Sequence, residues 1–220
     1  MFDLTFKHPF TCLAVGPTSA GKTVWLMSVL REKHKLISPL PKHIFLFYSE
    51  MQPVYKEMSS ENLITHLIQG IPPYDELKEM VKSYKGHGGC LLIMDDALND
   101  LATNDLQTMF IQGSHHLDAS IICVSQQLFF QSKQYRTMSI NSHYLVLFKS
   151  PRENRQIQTL ASQVSPKRAS FLVDAITRAT RQPFSYVVLD FKQNQSDSCR
   201  VRSNLFAKEA PPIVFIQKSL

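Results

Sequence analysis

Gly16-Pro17-Thr18-Ser19-Ala20-Gly21-Lys22-Thr23 is the stretch that decides the fold of this 220-residue chain. It fits the phosphate-loop pattern G-x-x-x-x-G-K-[ST] in full. The preceding Thr11-Cys12-Leu13-Ala14-Val15 reads as a short buried strand, and Val24 to Lys33 reads as a helix. Strand, glycine loop and helix in that order are the context the motif needs. Glycines let successive N–H groups converge on one anion, and the dipole of the following helix faces the same anion. All eight residues, Gly16, Pro17, Thr18, Ser19, Ala20, Gly21, Lys22 and Thr23, are therefore expected to cradle ATP. Lys22 would reach the β- and γ-phosphates and Thr23 would offer its hydroxyl to Mg2+. A chance match in a glycine-containing turn is the bland alternative, and the two flanking elements argue against it.

Outward from the loop, Gly89-Cys90-Leu91-Leu92-Ile93-Met94-Asp95-Asp96 is an apolar run ending in two acids. A carboxylate at a strand end is how phosphate-loop ATPases hold magnesium, so Asp95 is expected to bind the metal. Asp96 would polarise the attacking water as general base. Taken alone, the pair could equally cap a helix. Ser120-Ile121-Ile122-Cys123-Val124-Ser125-Gln126-Gln127 is a third such run. Gln126 is the candidate γ-phosphate sensor, with a helix or turn cap as the alternative.

Strands are expected at residues 10–15, 43–48, 89–95, 119–125, 143–149 and 184–191, with 199–206 an edge strand or hairpin partner. Most are continuously apolar, as strands buried on both faces are. Helices are expected at 22–34, 73–85, 103–115, 151–164 and 166–179. The alternation implies an α/β fold: a phosphate-loop (P-loop) NTPase of the additional-strand type, with a mainly parallel central sheet and helices on both faces. Residues 1–220 are expected to form a single ATPase domain, with 184–220 a C-terminal strand and tail extension. The apolar tail after Pro212 would pack on this domain or on a neighbouring subunit.

Composition narrows the partners. Residues 1–110 carry 10 Lys/Arg against 12 Asp/Glu, whereas residues 111–220 carry 14 against 6. A basic half beside a nucleotide site suggests a polyanion, most simply nucleic acid, with solubility charge as the alternative. Lys133, Arg136, Lys149, Arg152, Arg155, Lys167 and Arg168 form the densest basic cluster. Cys12, Cys90, Cys123 and Cys199 lack any C-x-x-C pairing and read as reduced thiols of a cytosolic or nuclear protein. No apolar run reaches membrane-spanning length, and no secretory signal is apparent at the start. The histidines, His115 and His116 included, read as helix-end residues rather than ligands, and no Ser/His/Asp grouping stands out.

The motif order then continues through Asn141-Ser142-His143-Tyr144-Leu145-Val146-Leu147-Phe148-Lys149-Ser150-Pro151-Arg152-Glu153-Asn154-Arg155. Over roughly residues 8–165 the chain resembles the FtsK–HerA superfamily of DNA-pumping ATPases. Within it, the resemblance is to the poxvirus-type genome-packaging ATPases, nearest the Polinton (Maverick) and virophage versions. The resemblance implies an ATP-driven translocase of double-stranded DNA. Such a translocase works as a hexameric or pentameric homo-oligomeric ring, loading a preformed capsid through a capsid or portal partner. It would act inside the host, in nucleus or cytoplasm at sites of virion assembly, with no membrane partner. By position, Lys22, Thr23, Asp95 and Gln126 match the family's lysine, magnesium hydroxyl, metal acid and sensor. Arg152, or else Arg155, falls where one subunit supplies an arginine to its neighbour. Asp96 departs from the frequent Glu by one methylene, which would bring the water closer. An ATP-dependent DNA-binding switch, such as a transposition or replication helper, is the alternative function. A small-molecule phosphoryl-transfer enzyme would explain the loop but not the basic half.

Overall fold

The computed structural model describes residues 3–95, 107–114, 117–126, 133–151, 154–206 and 211–217. The first half runs β1 (Phe6–Lys7), β2 (Thr11–Val15), α1 (Lys22–Arg31), α2 (Lys33–Leu36), β3 (Ile37–Ser38), β4 (His43–Tyr48), α3 (Pro53–Ser60), β5 (His66–Gln69), α4 (Tyr74–Tyr84) and β6 (Cys90–Asp95). The second half runs β7 (Ala119–Ser125), α5 (Lys133–Ile140), β8 (Tyr144–Phe148), α6 (Asn154–Val164), α7 (Ala169–Ala179), β9 (Tyr186–Asp190), β10 (Val201–Ser203) and β11 (Ile213–Val214). A wide π-helical turn, Met109–Gly113, precedes β7.

Nine strands form one sheet in the order β11-β10-β9-β8-β2-β7-β6-β4-β5. From β5 to β8 all pairings are parallel. From β8 onward they are antiparallel. β7 lies between the loop strand β2 and the acid strand β6, which is the additional strand expected of this class. β1 and β3 pair separately as a small parallel ribbon.

The continuous apolar runs are explained by the two cores they serve. Successive side chains of a strand point to opposite faces. Leu13, Val15, Phe45, Phe47, Leu92 and Met94 enter one core, where they meet Leu77 of α4, Leu160 of α6 and Ile176 of α7. Cys12, Ala14, Ile44, Leu46, Leu91 and Ile93 enter the other, where they meet Leu26 and Leu30 of α1 and Met58 of α3. Helices thus cover both faces, and neither face of the central strands tolerates a polar interruption. Cys12, Cys90, Cys123 and Cys199 are all buried and unbridged. Burial pushes the Cys90 thiol up to about 12, so it stays protonated and unreactive at neutral pH.

Several expectations shift. The strand expected at 184–191 begins at Tyr186, because Phe184 sits in the left-handed region at φ 62. The expected strand 199–206 shortens to Val201–Ser203, preceded by a 3-10 turn at Asp197–Cys199. The tail folds back on its own sheet, where β11 pairs with β10. Of the helix expected at 103–115, residues 103–106 and 115 lie outside the described residues, as does His116. Among the described residues no helix is long and apolar enough to cross a membrane.

A Ser/His/Asp grouping does form away from the loop, as a structural tie rather than a hydrolytic site. His8 Nδ1 lies 2.6 Å from Ser120 Oγ, and His8 Nε2 lies 3.0 Å from Asp118 Oδ1. His8 lies some 110 positions from the other two in sequence, so spacing could not reveal the three residues as a group. They stand at the N-terminal ends of the strands, and Ser120 is fully buried while accepting the Phe10 N–H at 3.1 Å. The group therefore ties β2 to β7 rather than presenting a nucleophile. A neutral imidazole satisfies it: Nε2–H donates to Asp118 and Nδ1 accepts from Ser120. Burial holds the His8 pKa below 6.5, with Asp118 pulling the other way. A depressed folded pKa means that the unfolded chain takes the proton first. Stability is then complete above pH 6.5 and declines as pH falls through it. Melting temperatures measured from about pH 7.5 to 5 should fall, and His8→Gln should flatten part of that slope.

Candidate nucleotide site

The site is built where parallel strands end, which is where open α/β sheets place ligands. β2 stops at Val15, and the Gly16 N–H donates to the Ser125 carbonyl at 3.2 Å, fastening the loop's entrance to the end of β7. Gly16 is required by space. A Cβ there would stand 2.6 Å from the Phe148 Cβ on β8. Gly21 is required by conformation, since it precedes α1 at φ 95. The Trp25 N–H closes the first helical turn on the Gly21 carbonyl at 2.8 Å.

Lys22 opens α1, and its ammonium group turns back across the loop. Nζ donates to the Gly16 carbonyl at 2.7 Å and to the Pro17 carbonyl at 2.9 Å. A cation is thereby fixed over the loop it belongs to. Thr23, next on the helix, donates through Oγ1 to Asp95 Oδ2 at 3.3 Å. Asp95 closes β6 and is 3% exposed. The Tyr55 phenol of α3, fully buried, donates to the same oxygen at 3.1 Å. Tyr55 escapes sequence reading, because it lies 40 residues from Asp95 in a polar, serine-containing segment. It is the kind of outer partner that orients a metal-binding carboxylate. The Thr23 and Asp95 oxygens form a hard donor set that suits magnesium.

Gln126 follows β7 directly, and its Oε1 accepts a hydrogen bond from Thr18 Oγ1 of the loop at 3.3 Å. Lys22, Thr23, Asp95 and Gln126 are thus brought together by three adjacent strands. Arg155 lies in the first turn of α6 and is exposed. Asp96 and Arg152 lie outside the described residues.

The basic half is less exposed than its composition suggests. Arg202 is fully buried and donates to Asp190 Oδ2 at 2.9 Å and to the Cys199 carbonyl at 3.2 Å. Lys192 donates to the carbonyls of Lys7 and Pro9 at 2.7 and 2.8 Å. Arg200 bonds Asp197, and Arg168 lies 3.6 Å from the same carboxylate. Lys149 donates to the Arg181 carbonyl at 2.9 Å. Among the described residues of this half, Arg136, Lys149, Arg155, Lys167, Arg168, Arg178 and Arg181 are exposed.

The family described as "Poxvirus A32 protein" matches residues 2–199. Among curated proteins, "DNA packaging protein OPG160" of variola virus is 28% identical over 130 residues, covering 54% of this chain and 47% of that protein. The vaccinia virus (strain Copenhagen) protein of the same name shows the same figures. In the monkeypox virus protein the match covers 42% of its length at the same identity. The chain thus spans about half the length of the curated relatives it matches. Among solved structures, the cytoplasmic domain of the Thermomonospora curvata type VII secretion ATPase EccC superposes with a TM-score of 0.54 at 12% identity. That superposition covers 83% of this chain and 24% of the other. At that identity the likeness is one of fold: a phosphate-loop ATPase domain.

Proposed function

We propose a function from one premise: the chain belongs to the poxvirus A32 protein family. It is an ATPase that drives double-stranded DNA into a preformed capsid, acting inside the host at sites of virion assembly. The observation that carries this reading is the meeting of Lys22, Thr23, Asp95 and Gln126 at the ends of three neighbouring parallel strands. The curated relatives bearing the name "DNA packaging protein" supply the direction.

In this reading the loop N–H groups and Lys22 bind the triphosphate and stabilise charge developing on it. Thr23 and Asp95 hold magnesium, which when bound neutralises phosphate charge. Tyr55 fixes the Asp95 carboxylate through its phenol. Asp96 accepts the proton of the attacking water. Gln126 reports the γ-phosphate to the loop through Thr18. Arg152 or Arg155 reaches a neighbouring subunit's site, so that full turnover needs a ring, hexameric or pentameric, seated on a capsid or portal partner. The exposed cations Arg136, Lys167 and Arg181 track the phosphate backbone, so binding carries no sequence preference.

Steady-state ATP hydrolysis with and without duplex DNA at graded salt tests this. Duplexes of unrelated sequence should stimulate alike. If about six phosphates are neutralised, apparent DNA affinity should fall about 10³-fold between roughly 50 and 200 mM salt. Hydrolysis indifferent to duplex at every salt concentration would point to a small-molecule enzyme instead. Stimulation without movement along the duplex would point to an assembly switch.

A further inference from the structure

A cleft of about 690 Å³ opens beside the phosphate loop, and Ser19, Gly21, Lys22 and Thr23 form its near wall. Its other walls are apolar and largely aromatic: Val24 and Trp25 from α1, and Phe184, Tyr186 and Phe206 from the β9–β10 end of the sheet. Trp25, Tyr186 and Phe206 pack as one group, with Tyr186 and Phe206 ring centroids 5.4 Å apart and Trp25 and Tyr186 6.2 Å apart. Phe184 is different. It is 70% exposed, and Val24 beside it is 69% exposed. Phe184 also holds φ 62, a region that bulky residues avoid. Its Cβ and Cδ1 are 3.3 Å from where a Cβ on Gly21 would stand, so the ring reaches over the last glycine of the loop. An aromatic ring kept in a disfavoured backbone conformation and left open to water contributes little to the core. Its position next to a phosphate site gives it a use.

We propose that this cleft is the nucleobase subsite, in which Phe184 and the Trp25–Tyr186–Phe206 group take a purine by stacking and burial without reading its edge. ATP and GTP are then bound about equally. The proposal rests on the reading of the loop as a triphosphate site. The occupant follows from continuity, because a nucleotide whose phosphates lie on Gly21 to Thr23 emerges into this cleft. Indifference to the base follows from how few polar groups open into it, since the Trp25 Nε1–H, without a partner among the described residues, is itself buried. Ser28 Oγ donates to the Val24 carbonyl at 3.0 Å, and the Tyr186 hydroxyl accepts the Leu205 N–H at 2.8 Å. Among the described residues lining the cleft there is no amide or carboxylate side chain to distinguish adenine from guanine.

Titration calorimetry of the full chain with magnesium and ATP, GTP or inorganic tripolyphosphate tests it, using wild type, Phe184→Gly and Lys22→Ala. Glycine removes the ring and relieves the backbone, so the melting temperature without nucleotide should not drop. ATP and GTP should bind wild type within tenfold of each other. Phe184→Gly should weaken both about tenfold or more, while tripolyphosphate binding is unchanged. Trp25, the single tryptophan, should report both nucleotides by a change in emission. Unchanged ATP affinity in Phe184→Gly, equal weakening of ATP and tripolyphosphate, or a base preference above tenfold would each overturn the proposal. Failure of the underlying reading looks different: Lys22→Ala would then bind tripolyphosphate as wild type does. If Lys22→Ala loses ATP while Phe184→Gly keeps it, only the base subsite falls.

Discussion

Lys22→Ala is expected to abolish ATP turnover while leaving the fold intact. The ammonium group is the one cation that the loop itself fixes in place, through two carbonyls at 2.7 and 2.9 Å. Losing a preorganised charge from a phosphoryl-transfer site costs about 10²–10³ in rate, and more where it also binds the substrate. Pro17 is half-buried but Gly16 is buried, so the Gly16 carbonyl gives up a hydrogen bond. Far-UV circular dichroism should match wild type and the melting temperature should fall by no more than about 2–4 °C, while phosphate release falls to background. A variant retaining a tenth or more of wild-type hydrolysis would remove Lys22 from the mechanism proposed here.

The largest expected loss of stability lies far from the loop. Asp190→Ala leaves the Arg202 guanidinium fully buried without its counter-charge. Arg202 Nε and Nη2 already have no hydrogen-bond partner among the described residues. What remains are the Cys199 carbonyl and the faces of Phe6 and Tyr144, whose ring centroids lie 6.0 and 5.8 Å from the guanidinium carbon. Breaking a buried pair from one side costs about 3–5 kcal/mol, or about 6–20 °C in melting temperature for a chain of this size. The Lys192 N–H and the Gln195 amide also lose their acceptors on Asp190. Replacing both partners, Asp190→Leu with Arg202→Met, should recover much of the loss, since a packed apolar pair is often as stable as the ions. Urea denaturation of the single and double variants measures this, and a single-variant loss below about 1 kcal/mol would mean that water reaches the guanidinium.

The central sheet was legible because its strands serve two cores. A run such as Leu91-Leu92-Ile93-Met94 can be nothing but doubly buried, and the loop's glycines and lysine have fixed spacing. The Thr23–Asp95 contact was legible for the same reason: one lies in the first turn of a helix and the other closes a strand. What escaped notice depends on contacts between distant segments. α3 carries no long apolar stripe, so Tyr55 gave no sign that it would reach Asp95. β5, a half-buried edge strand of four residues, and α5, with its mixed polar sequence, lack a clear period. Arg202 sits in an alternating Val-Arg-Ser stretch that reads as edge strand with a solvated cation. β11 covers that edge, and the arginine turns inward. Arg202 is therefore one cation of the second half that no polyanion can reach. Phe184 looked like the start of a strand, and only its left-handed backbone places it over the loop.

The contact between Gly16 and Phe148 has a genetic consequence. The first glycine of the loop is held to that identity by the Phe148 Cβ on the neighbouring strand, which would stand only 2.6 Å from any added carbon. The two positions are yoked: a methyl at 16 becomes admissible only in a lineage where 148 has already become glycine. Drift at 16 alone is blocked, and a suppressor of a Gly16 lesion should map to β8 rather than to the loop.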